Sequence, residues 1–164
     1  MPLLTVAGRT FDLRRACPDE IMDLRWRILR DGLPRDAAMF PGDEADTSFH
    51  YAAIERFDSN GGGKSELAAR VVSCATIHLS EWENEPAYQL RGMATEADCR
   101  SFGLGRGLLA LAEADVQRHT PVRLLWCNAR TPVLGFYRKQ GWQVRSDVFE
   151  IATAGPHVRM TKRI

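Results

Sequence analysis

Gln89-Leu-Arg-Gly-Met-Ala-Thr95, a short polar link, and then Arg100-Ser-Phe-Gly-Leu-Gly-Arg-Gly-Leu-Leu-Ala-Leu111 read as a strand, a glycine turn and the start of an amphipathic helix. Glycines at 103, 105 and 107 let the backbone turn tightly and let a ligand approach it closely. The first turn of a helix also leaves amide N–H groups without intrahelical partners. The turn is therefore a candidate anion site. A phosphate there gains those donors and the positive end of the helix dipole, worth about 0.3–1 kcal/mol when exposed and up to about 2 kcal/mol when partly buried. The spacing excludes two other phosphate loops. A dinucleotide fingerprint needs Gly-x-Gly-x-x-Gly, whereas these glycines are spaced by twos; a Walker loop ends in Gly-Lys-Ser/Thr, whereas Gly105 precedes Arg106. The competing reading is a glycine-capped turn before a core helix, with no ligand.

The rest of the chain narrows the choices. With 164 residues, it is expected to be a single domain spanning residues 1–164, able to bury a core without metals or disulfides. Lys and Arg number 22 against 21 Asp and Glu, so no bulk field attracts nucleic acid or an anionic membrane. No apolar run approaches a membrane span, and residues 1–8 are too short for a signal-peptide core. Cys17, Cys74, Cys99 and Cys127 show no Cys-x-x-Cys pairing, which argues for free thiols in a reducing, cytoplasmic setting and against a zinc site.

Residues 10–15 read as a first strand. Cys17-Pro18-Asp19-Glu20 then opens a helix, since proline suits the first helical position and carboxylates its positive end. Ile21, Leu24 and Ile28, with Met22 and Leu29, recur at helical spacing among arginines until Gly32. Residues 32–47, with Pro34, Pro41 and Gly42, read as a loop or a broken second helix. Residues 49–56 and 69–79 read as a hairpin around the flexible run Asp58-Ser-Asn-Gly-Gly-Gly-Lys64. Residues 80–86, with Glu81, Glu83 and Glu85, read as an acid-rich connection. After the glycine turn, Leu104, Leu108, Leu111 and Ala112 share one face of a helix ending near His119. A strand at 123–129, a short helix at 131–140, a strand at 142–151 and a last strand at 158–164, after a Gly155-Pro156 turn, complete the chain. This order predicts an α/β fold with a mixed central sheet flanked by helices.

Residues 100–105 match Arg/Gln-x-x-Gly-x-Gly/Ala, and Phe136-Tyr137-Arg138-Lys139-Gln140-Gly141-Trp142 matches Phe/Leu-Tyr-x-Lys-x-Gly-Phe. Together with the element order, these blocks resemble the GNAT (GCN5-related) family of acyl-CoA-dependent N-acetyltransferases. The resemblance is strong from residue 89 to 142 and a matter of pattern before residue 69. It implies the GNAT acyl-CoA N-acyltransferase fold, with acetyl-CoA as cosubstrate and no metal. It also implies direct acetyl transfer to a primary amine of a small molecule or peptide, the small molecule being the first choice. A homodimer is compatible with it; a nucleic acid or a membrane is not implied. By position it assigns Arg100, Ser101, Phe102, Gly103, Leu104, Gly105 and Arg106 to the coenzyme A diphosphate. The backbone of Met93, Ala94 and Thr95 is assigned to the pantetheine arm and acyl carbonyl, and Tyr137 to the departing sulfur. In relatives the region corresponding to residues 32–47 commonly walls the acceptor pocket; a surface connection with no role is the alternative. Many relatives also carry asparagine seven residues before the tyrosine. Here that residue is Arg130, with Asn128 two residues earlier, so the contact is not carried over.

The residue types suit the reaction. Amine attack on a thioester expels a thiolate, and a phenol, with an ordinary pKa of about 10, can hydrogen-bond or protonate it. A core tyrosine is the alternative for Tyr137. Freeing the lone pair of a lysine-like amine at pH 7 costs about 4.6 kcal/mol, so a base or water relay is expected. His157 is the first candidate, and Glu150, His78, Glu81 and Asp43 are the others. The family's sheet would place the start of the last strand beside the end of the 123–129 strand, and the Gly-Pro-His-x-x-Met ending resembles that of a subgroup of the family. His50 and His78 read as packing or surface residues, and His119 as a favourable charge at a helix C-terminus. The rival function is a non-catalytic acyl-CoA-binding sensor, which would need neither Tyr137 nor His157.

Overall fold

Helix α1 (Pro18–Leu29) starts where proline and the carboxylates predict, and the Cys17 amide donates to Glu20 Oε2 at 2.7 Å. Such a reciprocal cap satisfies a donor that the helix itself leaves unpaired. A computed structural model describes residues 3–58 and 67–164; the run expected to be a flexible loop lies outside them except for Asp58. The strands are β1 (Leu3–Val6), β2 (Arg9–Ala16), β3 (Phe49–Asp58), β4 (Leu67–Trp82), β5 (Glu85–Thr95), β6 (Leu124–Arg130), β7 (Gln143–Val144), β8 (Phe149–Ile151) and β9 (Gly155–Arg163). Two further helices are α2 (Leu104–His119) and α3 (Leu134–Lys139). In sheet order the strands run β1-β2-β3-β4-β5-β6-β9-β7, with β8 on β9. β5 and β6 are parallel, and β6 and β9 antiparallel. This is the mixed sheet with flanking helices that the sequence predicts.

The chain divides into two compact units, one of Met1–Thr76 with Gly92–Ala112 and one of Ile77–Arg91 with Glu113–Ile164. In the first, the β2–β3 register pairs Leu13 with Ala53 and Asp12 with Ile54, so alternation separates the two faces of the sheet. Ala52 and Ile54 on one face join Ile21 and Leu24 of α1, Cys74 and Ala94 in a buried cluster. On the other face Leu13 meets α2 at Gly107, where a Cβ would collide with its side chain. In the second unit, β6 pairs with β5 from Tyr88↔Leu125 to Leu90↔Cys127 and with β9 from Leu124↔Arg163 to Arg130↔His157.

Four expectations need correction. Residues 80–86 are not a connection: β4 runs to Trp82, β5 starts at Glu85, and only Glu83 and Asn84, at φ 49° and 66°, make the turn. Paired left-handed residues match the right-handed twist of a hairpin. Of the glutamates that suggested a loop, Glu83 is in the turn itself, while Glu81 and Glu85 stand at the strand ends on either side of it. Residues 142–151 form two short strands, β7 and β8, rather than one. Gly155-Pro156 lies within β9 instead of before it. β1 went unrecognised; its four residues alternate exposed and half-buried at the edge of the sheet. Residues 32–47 contain one short 3-10 turn, Arg35–Ala38, and otherwise run as a loop.

Candidate functional site

In the first unit the residues assigned to the cofactor follow a break in β5. Gly92 turns left-handed in mid-strand, at φ 61°, the signature of a bulge that re-aims the chain beyond it. Met93, Ala94 and Thr95 come next. Ala94 is buried and its carbonyl accepts from Ser73 Oγ at 3.0 Å; the Thr95 hydroxyl meets the same oxygen at 2.7 Å. A 3-10 turn, Ala97–Cys99, leads to Arg100, whose Nε donates to Thr95 O at 3.4 Å. Ser101 and Gly103 are both left-handed, at φ 68° and 79°. The Gly103 carbonyl accepts from the Gly107 amide at 2.9 Å, which makes Gly103 the cap of α2. The amides of Leu104, Gly105 and Arg106 therefore form the first helical turn and have no carbonyl four residues back within the helix to bond. Leu104 is buried and anchors that turn, while Arg100, Ser101 and Arg106 are exposed.

Two of the three glycines thus have different reasons. Gly103 needs its φ, and Gly107 needs room for Leu13. Phe102 packs on Phe11 at 5.9 Å between ring centroids, and the Arg9 guanidinium lies over both rings. Arg9 also bonds Glu55, at 2.5 and 2.8 Å, and reaches Asp98. Arg70 joins the same two carboxylates. These arginines hold the Glu55 and Asp98 carboxyls below their usual range.

In the second unit Tyr137 is buried on α3, edge-on to Phe136 at 5.1 Å and to Trp142 at 5.6 Å. Burial above all, and then the neighbouring Cys127 thiol, push its phenol well above the ordinary value, so it stays a proton donor. His157 is buried on β9 and paired with Arg130, at the end of β6, as the family resemblance implied. Its Nδ1 lies 2.7 Å from Gly155 O. A carbonyl can only accept, so Nδ1 carries the hydrogen and Nε2 of the neutral ring keeps its lone pair. Cys127 pairs with Met160, three residues from His157 on β9. Strand alternation therefore sets the Cys127 side, where Tyr137 lies, and His157 on opposite faces.

The remaining candidates fall elsewhere. Glu81 and Glu150 are exposed and His78 is half-buried. Asp43 is buried and paired with Arg25. His119 stands exposed in the last turn of α2, as expected of a C-terminal charge. Asn128 shares the His157 face of β6, and both its Oδ1 and Trp126 Nε1 are buried without a partner. A cleft of about 650 Å³ in this unit is lined by Trp82, Glu85, Gln143 and Arg145 at the Leu124 end of β6, the end away from His157. Burial raises the Cys74 thiol to about 12 and raises Cys127 further, which makes both poor nucleophiles. Among the described residues no group of three or more His, Cys, Asp or Glu could hold a metal ion, and no helix is long and apolar enough to cross a membrane.

One cluster escaped the sequence reading. Arg25, counted with the polar arginines of α1, is fully buried. It bonds Asp43 Oδ2 at 2.5 Å, Ala38 O at 3.0 Å and Thr76 Oγ1 at 2.6 Å. His50, also buried, joins Thr76 Oγ1 at 2.8 Å and Asp43 O at 2.9 Å. The signal was present: Arg25 lies four residues after Ile21 and three before Ile28, inside the apolar stripe.

The model of the acetyltransferase (GNAT) family matches residues 19–142. YitI of Bacillus subtilis (strain 168), an uncharacterized N-acetyltransferase, is 30% identical over 146 residues, 89% of this chain and 91% of its own. Escherichia coli ElaA has a similar structure, with a TM-score of 0.70 at 15% identity over 93% of this chain and 99% of its own. A chain of the NatC complex bound to Gag peptide and CoA gives 0.69 at 13% identity, over 94% and 98%. At such identities the two structures speak for the fold alone. The family match and the YitI relationship go further: the chain belongs to the acetyltransferase (GNAT) family, and its activity is that of an acyl-CoA-dependent acetyltransferase.

Proposed function

We propose that the chain, acting as one domain, moves the acetyl group of acetyl-CoA directly to a primary amine of a small molecule. The observation that carries this is the division of labour across β6 and β9. A phenol kept protonated by burial lies on the Cys127 face, and an imidazole with its Nδ1 pinned to Gly155 O lies on the other. Acetyl-CoA supplies the activated thioester. The fit to the diphosphate rests on the start of α2, where the left-handed Ser101 and Gly103 precede the amides of Leu104, Gly105 and Arg106, with Arg100 and Arg106 as nearby cations. The main chain of Met93, Ala94 and Thr95 would take the pantetheine arm and the acyl carbonyl.

His157 Nε2 takes a proton from the acceptor ammonium, directly or through water, and so frees the lone pair that forms the new N–C bond. The Tyr137 hydroxyl hydrogen-bonds or protonates the sulfur released when the C–S bond breaks. Direct transfer is favoured over an acyl intermediate on Cys74 or Cys127, because burial keeps both as thiols. The NatC structure contains a peptide and CoA, so the fold by itself does not select a small acceptor. A sensor that binds acyl-CoA without turning it over would have no use for the proton-transfer pair.

The deciding experiment follows thiol release from acetyl-CoA with polyamines, aminoglycosides, amino acids and lysine peptides. Amine-dependent release with a small molecule is expected. Calorimetric binding of coenzyme A with no release for any amine would replace the enzyme by the sensor.

A further inference from the structure

We propose that Arg25 is a positioning residue for acyl transfer: from within α1 it holds the left-handed break of β5 at Gly92, and with it the main chain of Met93, Ala94 and Thr95. The inference rests on the reading of that strand end as the acyl-binding stretch. Two observations meet at Gly92. Its φ of 61° is one that side chains rarely adopt. A Cβ there would also come within 2.9 Å of Arg25 Nε and 3.1 Å of the Phe40 ring. Gly92 is thus pressed against the guanidinium, which lies 4.4 Å from the centroid of the Phe40 ring.

The guanidinium is itself held rigidly. A closed circuit surrounds it, and each direction in the circuit follows from the partners. Arg25 donates to the Asp43 carboxylate and to Thr76 Oγ1. Asp43 O can only accept, so His50 Nε2 donates to it. In the neutral ring His50 Nδ1 then accepts the Thr76 hydroxyl hydrogen. The Phe40 amide donates at 3.0 Å to Asp43 Oδ2, the carboxylate oxygen that Arg25 also holds. The fork of donors thereby holds residues 38–43 and Thr76 on β4, and the Nε edge of the same guanidinium packs against Gly92 on β5.

Stability alone does not explain such a group. A buried ion pair is commonly matched or bettered by apolar residues of similar volume, and here Arg25 Nε is left buried without a partner, which carries a further penalty. The planar, multi-pronged guanidinium supplies what an apolar residue cannot, a fixed orientation relative to three segments.

The test compares Arg25→Lys and His50→Gln with the wild type, at a temperature where circular dichroism shows each variant folded. Lysine keeps the charge toward Asp43 but cannot span the other partners, whereas glutamine retains one donor and one acceptor in the circuit. For Arg25→Lys, kcat for thiol release is expected to fall by about 10- to 100-fold, the loss typical of a small misplacement of reacting groups. The Kd of coenzyme A should stay within about threefold, and amide hydrogen exchange at Met93–Thr95 should quicken. His50→Gln, which loosens the circuit but leaves the guanidinium fork in place, should lower kcat and quicken exchange less than Arg25→Lys does. The proposal is overturned if Arg25→Lys keeps its kcat or if exchange at Met93–Thr95 is unchanged. The wild-type arm stands apart. Absence of release with every amine defeats the functional reading, and exchange at Met93–Thr95 alone then decides whether Arg25 holds the break.

Discussion

The loop that opens α2 and the pair Tyr137 and His157 would serve acyl transfer by opposite means. The loop offers main-chain donors set by left-handed Ser101 and Gly103, and its charged side chains Arg100 and Arg106 stand in water. Tyr137 and His157 offer side-chain atoms whose protonation or tautomer is fixed by burial and by a carbonyl. Main-chain donors bind a group whose charge does not change during the reaction, whereas tuned side chains act where charge develops. Variants of the first region should therefore change affinity, and variants of the second should change turnover.

The largest effect is expected at Tyr137. Tyr137→Phe removes the donor to the leaving sulfur while keeping the ring that packs on Phe136 and Trp142. It should lower kcat by about 10²-fold or more, with coenzyme A binding nearly unchanged. Wild-type turnover in that variant would return Tyr137 to the core. His157→Ala should lower kcat/KM on the order of 10²-fold, the low end for general base catalysis, with coenzyme A binding nearly unchanged. If the rate survives, the base lies elsewhere, with Glu150 and Glu81 next to be tested.

What the sequence disclosed follows the same division. A left-handed glycine cap leaves a mark in the chain, and so does an aromatic-basic block such as 136–142, so the α2 turn and Tyr137 could be located. Packing reasons leave none: nothing in the sequence says that Gly107 is small because of Leu13, or that Gly92 interrupts a strand against Arg25. Arg25 was misjudged because residue type was given more weight than position. The glutamates at 81, 83 and 85 misled for the same reason, since acidic residues in and on both sides of a two-residue hairpin turn resemble a longer polar loop. β1 is too short and too exposed to carry a periodic signal. The Arg130–His157 pairing, in contrast, followed from the family's strand order rather than from any local pattern.

A smaller effect should separate the two regions from the other side. Gly105→Val places a branched side chain on the first turn of α2, where the diphosphate would approach. Loss of the amide and dipole contacts should weaken coenzyme A binding by about 10- to 30-fold, while kcat at saturating acetyl-CoA stays close to wild type. Unchanged calorimetric affinity in the folded variant would leave the turn a structural cap and nothing more.

The smallest effect concerns what braces the loop. Glu55 is buried between Arg9 and Arg70, and Arg9 continues to Asp98 and over Phe102, so the turn leading into α2 hangs on a lattice of charges. Its arginines are partly exposed, with side-chain exposures of 26% and 42%, and salt screens such pairs. The Glu55 carboxyl is held below its ordinary 4.5, chiefly by the hydrogen bond from Arg9 and against its own burial. A lowered folded-state value means that the contribution to stability is fully present above about pH 4.5 and is lost as pH falls through the lower folded value. Glu55→Gln should therefore flatten the acid limb of the stability curve below pH 4.5 and leave the curve's shape near neutrality as it is. It should also weaken coenzyme A binding by about threefold or less and reduce the salt dependence of that affinity. The Tyr137 region owes its tuning to burial instead, so kcat should show none of this salt sensitivity. A salt-dependent kcat together with a salt-independent Kd would invert the division between the two regions.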